Sequence, residues 1–297
     1  MLFRSAYEKA AFKQAAYESA AEAASQYDAL IDQLVHQHRT AFSSIDWQGI
    51  AARDLVALPS PRSDAEDKAR SDLASYRPGW FERTFGGEKK QIRLKEAAIH
   101  KAIVVDRAQS DALLVQARKE NSEIELARRL QAGDQSAIVE VINSRSKLGD
   151  LPFCLEALDL FFSADGELVA KVDGLDLEDM PDQSVTLLQS GKLSVKQLTP
   201  AKVHELHRAN ISSSAIRIGI ELLRVVPVAA VTVVMETEIL DAATGHIEAK
   251  PVLSLKLARQ VLNTMALERT EAPAVVERLG AEMNWSPRKG FAAIADG

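Results

Sequence analysis

The chain has 297 residues, with 36 lysines and arginines against 42 aspartates and glutamates, a formal net charge of −6. A charged share of 26% beside 46% hydrophobic residues excludes whole-chain disorder, and the negative balance excludes a grip on nucleic acid by the surface as a whole, leaving only a local basic face. The single cysteine, Cys154, excludes an internal disulfide and a cysteine-based zinc site; it reads as a small buried apolar residue in a reducing compartment.

The N-terminus, "MLFRSAYEKA", lacks the apolar core of a signal peptide. From Phe3 to about Arg39 no proline or glycine interrupts an alanine-rich helical pattern. Phe3, Ala10, Tyr17, Ala24 and Ile31 recur every seven residues, with Tyr7, Gln14, Ala21, Asp28 and Val35 as companions: an imperfect heptad seam. No capping residue starts this helix, so the chain reads as part of something longer.

Asp46 is placed to cap a short helix carrying Ile50 and Leu55, and "PSPRS" breaks the chain. Ser63 followed by Glu66 has the spacing of a capping box for the next helix. Pro78-Gly79 and Gly86-Gly87 predict a loop over Tyr76 to Gly87. A long helix is expected from about Lys89 to Ala132, its apolar face carrying Ile92, Ile99, Ile103, Leu113, Ala117, Ile124, Ala127 and Leu130. Asp106, Ser110 and Glu120 break that seam. A stripe of this length needs a partner, and the first helix is the expected one, giving an antiparallel helical hairpin or stalk. Gly133 ends the helix, and Asp134 caps one more, "QSAIVEVI".

After Gly149-Asp150 the pattern changes. "LEALDLFFSADGELVAKVDG" reads as two strands turning at Asp165-Gly166, and "VTLLQSGKLSVKQL" as further strand bent at Gly191. Thr199-Pro200 opens a helix to about Leu223. Strands at Val228–Leu240 and Ile247–Leu257 form a hairpin, and short helices follow near Leu257–Leu267 and Pro273–Asn284. The expected fold is α+β: a helical stalk over 1–150, coiled-coil-like, followed by a small α+β domain with an antiparallel sheet over 151–297. The longest apolar run, Val225 to Met235, is too short to span a bilayer and contains Pro227, so no membrane contact and a cytoplasmic location are expected.

The hairpin holds the sharpest candidate chemistry. Glu238 and Asp241 precede Glu248-Ala249-Lys250, an acid followed by E-x-K, the set with which metal-dependent nucleases hold a cation and steady the attacking water. Strand alternation supplies a plainer reading. A three-residue loop, Ala243-Thr244-Gly245 with Gly245 left-handed, keeps the apolar positions on one face and sets Glu238 opposite Lys250 as a surface ion pair. A strand directly preceded by a helix also does not fit a nuclease core. "VHELH" sets His204 and His207 three apart with no third metal ligand, and reads as solvated helix surface; His36 and His38, two apart on a helix, cannot share a face. The second candidate surface interleaves Trp80 with Arg83, Lys89 and Lys90, aromatic and cationic groups suited to stacking bases and holding phosphates, though Glu82, Glu88 and Glu96 dilute the charge. No cofactor site is read from the sequence.

"VPV" (Val226 to Val228), "D-x-x-T-G-H" (Asp241 to His246), "VLSL" (Val252 to Leu255), "R-x-x-L" (Arg259 to Leu262) and "K-G-F" (Lys289 to Phe291) together resemble the C-terminal region of a family of uncharacterised bacterial cytosolic proteins. "SGKLSVK" and the stretch from Ser75 to Asp106 are also similar to it. The resemblance implies no activity, and it implies that such regions follow other modules in longer proteins. The long broken seam and the lack of a convergent polar site set the expected function as non-enzymatic: protein interaction or assembly, with self-association through the stalk.

Overall fold

The computed structural model describes residues 6–85, 87–151, 155–240 and 245–295, with the side chains at 6–13, 15–16, 81 and 84–85 outside that set. The expectations for Cys154 and for the first part of the heptad seam therefore lie outside the described residues. By its internal contacts the chain divides into two compact units, Asp46–Ala137 and the combination of Met1–Ile45 with Ile138–Gly297.

The first unit is helical. α2 (Trp47–Ala51), α3 (Asp64–Ala74) and α4 (Trp80–Phe85) all pack on the 45-residue α5 (Gly87–Gln131). Asp46 caps α2 as expected, its Oδ1 accepting from the Gly49 N–H at 2.8 Å. The capping box expected at Ser63 does not form: the Ser63 hydroxyl donates to Asp67 instead. The cap comes from α5. Asp106, only 3% exposed, accepts from the Ala65 and Glu66 N–H groups at 3.1 and 2.8 Å. Ser110 Oγ accepts from Arg62 N, Asn121 bonds both backbone groups of Val56, and Arg128 donates to the carbonyls of Ala51 and Arg53. Polar positions that interrupt the apolar stripe are thus where α5 holds the backbone of the 51–66 segment, satisfying groups that would otherwise be orphaned.

The expected loop over Tyr76 to Gly87 contains α4. Glu82 Oε2 accepts from the Gly79 N–H at 3.0 Å and from the Tyr76 hydroxyl at 2.8 Å, so the third helical residue reaches back to the start of the helix. The Glu82 side chain supplies the cap that the proline–glycine pair, read as a plain break, did not reveal.

The second unit is a mixed α+β fold. Its main sheet has the order β1-β2-β5-β6-β7-β8: β1 (Ala157–Phe162), β2 (Leu168–Asp173), β5 (Ala230–Leu240), β6 (Ile247–Ala258), β7 (Glu282–Ser286) and β8 (Gly290–Ala292). β3 (Gln183–Leu187) and β4 (Leu193–Gln197) form a separate hairpin. The turns at Asp165-Gly166 and Gly191 are present, with both glycines left-handed at φ +78° and +77°. The expected antiparallel sheet is corrected to a mixed one: β2 and β5 run parallel. The crossover between them carries β3, β4 and α7 (Pro200–Val225), the length of connection a parallel pair requires.

α7 is the centre of this unit. Thr199 caps its start, accepting from Lys202 N, and Arg259 closes its end by donating to the carbonyls of Leu223 and Val226. Ile211, Ile216, Ile220 and Leu223 are fully or almost fully buried, over a sheet face built by Val231, Val233, Met235, Leu253, Leu255 and Leu257. A Cβ added at Gly219 would stand 2.2 Å from Leu257 Cδ1, so glycine here sets how closely helix and sheet approach.

α1 (Ala6–Val35) packs on α7 and on β3 and β4, with Leu34, Val35 and Met180 forming a small core against Leu30, Leu175 and Leu206. The division expected at residue 150 is therefore not the one observed. α1 and α5 belong to different units. After α8 (Arg259–Leu262) and α9 (Ala272–Arg278) the chain forms β7 and β8, where a longer helix was expected. α6 (Gln135–Arg145) and a short 3₁₀ turn, Leu148–Asp150, precede β1.

Candidate functional site

The hairpin of β5 and β6 follows the expected register in its inner half, where Val231, Val233 and Met235 face Leu257, Leu255 and Leu253. Between Met235 and Glu236 the register shifts by one, because Val252 has no partner across the strand. Pro251, Val252 and Leu253 are buried in succession, and Pro251 has no N–H to give the ladder, a standard setting for a bulge. The shift corrects the expected pairing. Glu238 faces Ala249, Thr237 faces Lys250, and Lys250 pairs with Glu248 on its own strand at 2.6 Å. Gly245 is left-handed at φ +73°, as the turn requires, while Asp241 and most of the loop lie outside the described residues.

The acids near this hairpin are engaged locally. Asp176 Oδ1 accepts from the Thr237 hydroxyl and the Glu238 N–H, both at 2.7 Å, and Glu236 pairs with Lys171 at 3.0 Å. Among the described residues, no group of three or more His, Cys, Asp or Glu is arranged to hold a metal ion. The E-x-K of this strand is, in its described part, an internal ion pair on an exposed face.

The histidines depart from expectation. α1 ends at Val35, so His36 and His38 lie in the turn beyond it, their ring centroids 6.3 Å apart. His38 is 0% exposed. Its Nε2 lies 3.0 Å from the Thr270 carbonyl, which can only accept, so Nε2 carries the proton and Nδ1 accepts from the Ser213 hydroxyl at 3.0 Å. A serine and a histidine at this distance resemble a nucleophile and its base, yet Ser213 is also 0% exposed and no substrate atom can reach either group. The pair instead ties the end of α1 to α7 and to the start of α9. His207 is buried rather than solvated, with Nε2 on the Leu175 carbonyl and its ring edge-on to Phe291. His204 turns to the Pro287 carbonyl, so the two share no ligand.

Burial holds both His38 and His207 below the usual histidine range, against the opposing pull of their carbonyl partners. A folded-state value below the unfolded one means the neutral form is the one the fold accepts. The stabilisation is complete above the unfolded value, near 6.5, and is lost as pH falls through the lower folded value. The thermal midpoint is therefore expected to drop between about pH 7.5 and pH 5.5, and less steeply in His38→Gln. A midpoint that ignores pH over this interval would contradict the neutral clamp.

In the helical unit, Trp80 is 71% exposed at the start of α4, and Arg83, Lys89 and Lys90 are exposed. Lys89, Lys90, Arg93 and Leu94 line a shallow depression of about 380 Å³. The arrangement offers a stacking ring and nearby cations, the chemistry expected from the sequence, beside Glu82 and Glu88 in the same turns.

The larger feature lies along α5, on the side away from Asp106, Ala117 and Ile124. Leu94, Val104, Val105 and Val115 are 54%, 67%, 39% and 65% exposed, and Ala97, Ala108 and Ala112 lie exposed in the same arc. No residue in this arc belongs to the apolar stripe read from the sequence, which follows the opposite face of the helix. Four large side chains within one arc of a helix already covered on its other side form a second seam.

Comparison with known proteins returns no match: no protein-family model, no curated protein and no solved structure matches the chain. Among the described residues, no helix is long and apolar enough to cross a membrane.

Proposed function

We propose that the protein is a non-enzymatic interaction module that self-associates through the outer face of α5. The observation that supports this reading is the mirror symmetry of the stripe. About a point between Val104 and Val105, Leu94 matches Val115 and Ala97 matches Ala112. A second copy lying antiparallel would set Leu94 against Val115 and Val104 against Val105. A two-fold interface uses the same patch on both subunits and so must be self-complementary in this way. The alanines allow close helix approach, and the aliphatic stem of Lys101 covers Ala108 of the copy while its ammonium stays wet. The single cysteine supports the cytosolic part of this reading.

The test is sedimentation of the purified chain and of the Val104→Lys, Val115→Lys double variant. The wild type is expected at twice the 32.4 kDa chain mass, and the variant at the mass of a single chain with unchanged helix content. A wild type that stays at the single-chain mass across micromolar concentrations would overturn the reading.

A further inference from the structure

A different surface, in the α+β unit, has the attributes of a peptide-binding edge. β1 is the terminal strand of the main sheet, and among the described residues no strand pairs with its outer side. The Ser163 N–H donates to the Glu167 carbonyl at 2.9 Å, which sets the alternation of the β1–β2 ladder. Asp159 and Phe161 then turn their backbone groups toward β2, and Leu158, Leu160 and Phe162 turn theirs outward. An unpaired row of this kind is a template for another strand. Directly beside it is a groove of about 390 Å³ lined by Ile142, Ser146, Leu148 and Asp150 together with Leu158 and Leu160 of β1.

We propose that β1 takes up an extended peptide as an added strand, with alternate apolar side chains entering the groove and lysine or arginine at the end that lies over Glu156. Strand addition of this type draws affinity from main-chain hydrogen bonds and selectivity from pockets for every second side chain. Charge selects the occupant. Glu156 precedes β1, and its carboxyl is pushed up by burial and by the negative charges of Asp173, Asp179, Asp176 and Glu238. A neighbouring cation would relieve that repulsion. A second copy of β1 would not, since the strand carries Asp159 and is followed by Asp165 and by Glu167, which already pairs with Lys256. The peptide site uses none of the residues of the self-association face on α5.

The probe is a fluorescein-labelled octapeptide alternating leucine and threonine and ending in two lysines, read by anisotropy against the full chain. Binding is expected, weakened at least about tenfold by Leu160→Glu and by exchanging the lysines for glutamates. Two N-methylated versions, one at each alternate set of residues, separate strand addition from plain charge attraction. One set removes the donors that face β1 and is expected to abolish binding; the other is expected to leave it within about twofold. This comparison uses the wild-type protein, so it holds even if Leu160→Glu fails to fold. Equal binding of both methylated peptides, or no binding of the parent peptide, would overturn the proposal without touching the α5 dimer.

Discussion

Replacing Glu221 by alanine is expected to destabilise the α+β unit by about 3–5 kcal/mol, the range for removing one partner of a buried charge pair. Glu221 is 1% exposed near the C-terminal end of α7. Its Oε1 accepts from the Lys147 N–H at 2.7 Å and from Arg224 Nη2 at 2.5 Å, and Arg217 stands 3.8 Å from Oε2. Arg224 also donates to the Arg145 carbonyl, so one carboxylate anchors the end of α6 to the central helix. Burial alone would raise the Glu221 carboxyl; the arginine and backbone donors outweigh it and hold the group below its ordinary value. The stabilisation is therefore present above the unfolded value and lost as pH falls through the folded one. Urea unfolding at neutral pH measures the loss. Glu221→Gln, which can still accept from Lys147, is expected to lose less than alanine, and an alanine variant within about 1 kcal/mol of the wild type would contradict the anchor.

The second large effect is expected at Asp106. Asp106→Ala removes both acceptors at the start of α3 and is expected to cost the helical unit about 2–3 kcal/mol, more than an ordinary cap because two N–H groups lose a charged partner. Hydrogen exchange reads it locally: the Ala65 and Glu66 amides are expected to exchange much faster in the variant, and Asp106→Asn to recover part of the protection. Unchanged exchange at these amides would show that the cap contributes nothing. Ser63→Ala, the substitution suggested by the capping-box spacing, is expected to have the smaller effect, because its hydroxyl reaches Asp67 and no backbone donor.

What could be read in advance was local. Asp46, Thr199 and the Asp165-Gly166 turn act within a few residues, and their spacing carried the information. The α+β class followed from the change of period near residue 150. What escaped the reading was set by distant partners. The Asp106 cap reaches 40 residues back, so the aspartate looked like a flaw in a seam. The parallel pairing of β2 with β5 joins strands separated by a hairpin and a helix. α1 found its partners in α7 and the β3–β4 hairpin because α7 needs cover on the side away from the sheet. The bulge at Val252 was indicated by Pro251, but alternation alone could not place the extra residue, and a shift of one moved Lys250 from Glu238 to Glu248. At the candidate surfaces, Trp80, Arg83, Lys89 and Lys90 are exposed as expected, whereas the outer seam of α5 was passed over because the spacing had already supplied one apolar stripe for that helix.

The most direct measurement is disulfide trapping across the α5 pair, with Cys154 changed to serine. Val104→Cys lies beside the two-fold axis and is expected to give a covalent dimer on mild oxidation. Leu94→Cys sits about 30 Å from its counterpart in an antiparallel pair and is expected to remain uncrosslinked, while Leu94→Cys combined with Val115→Cys crosslinks again. Efficient trapping of Leu94→Cys alone, or no trapping of Val104→Cys, would contradict self-association through this face.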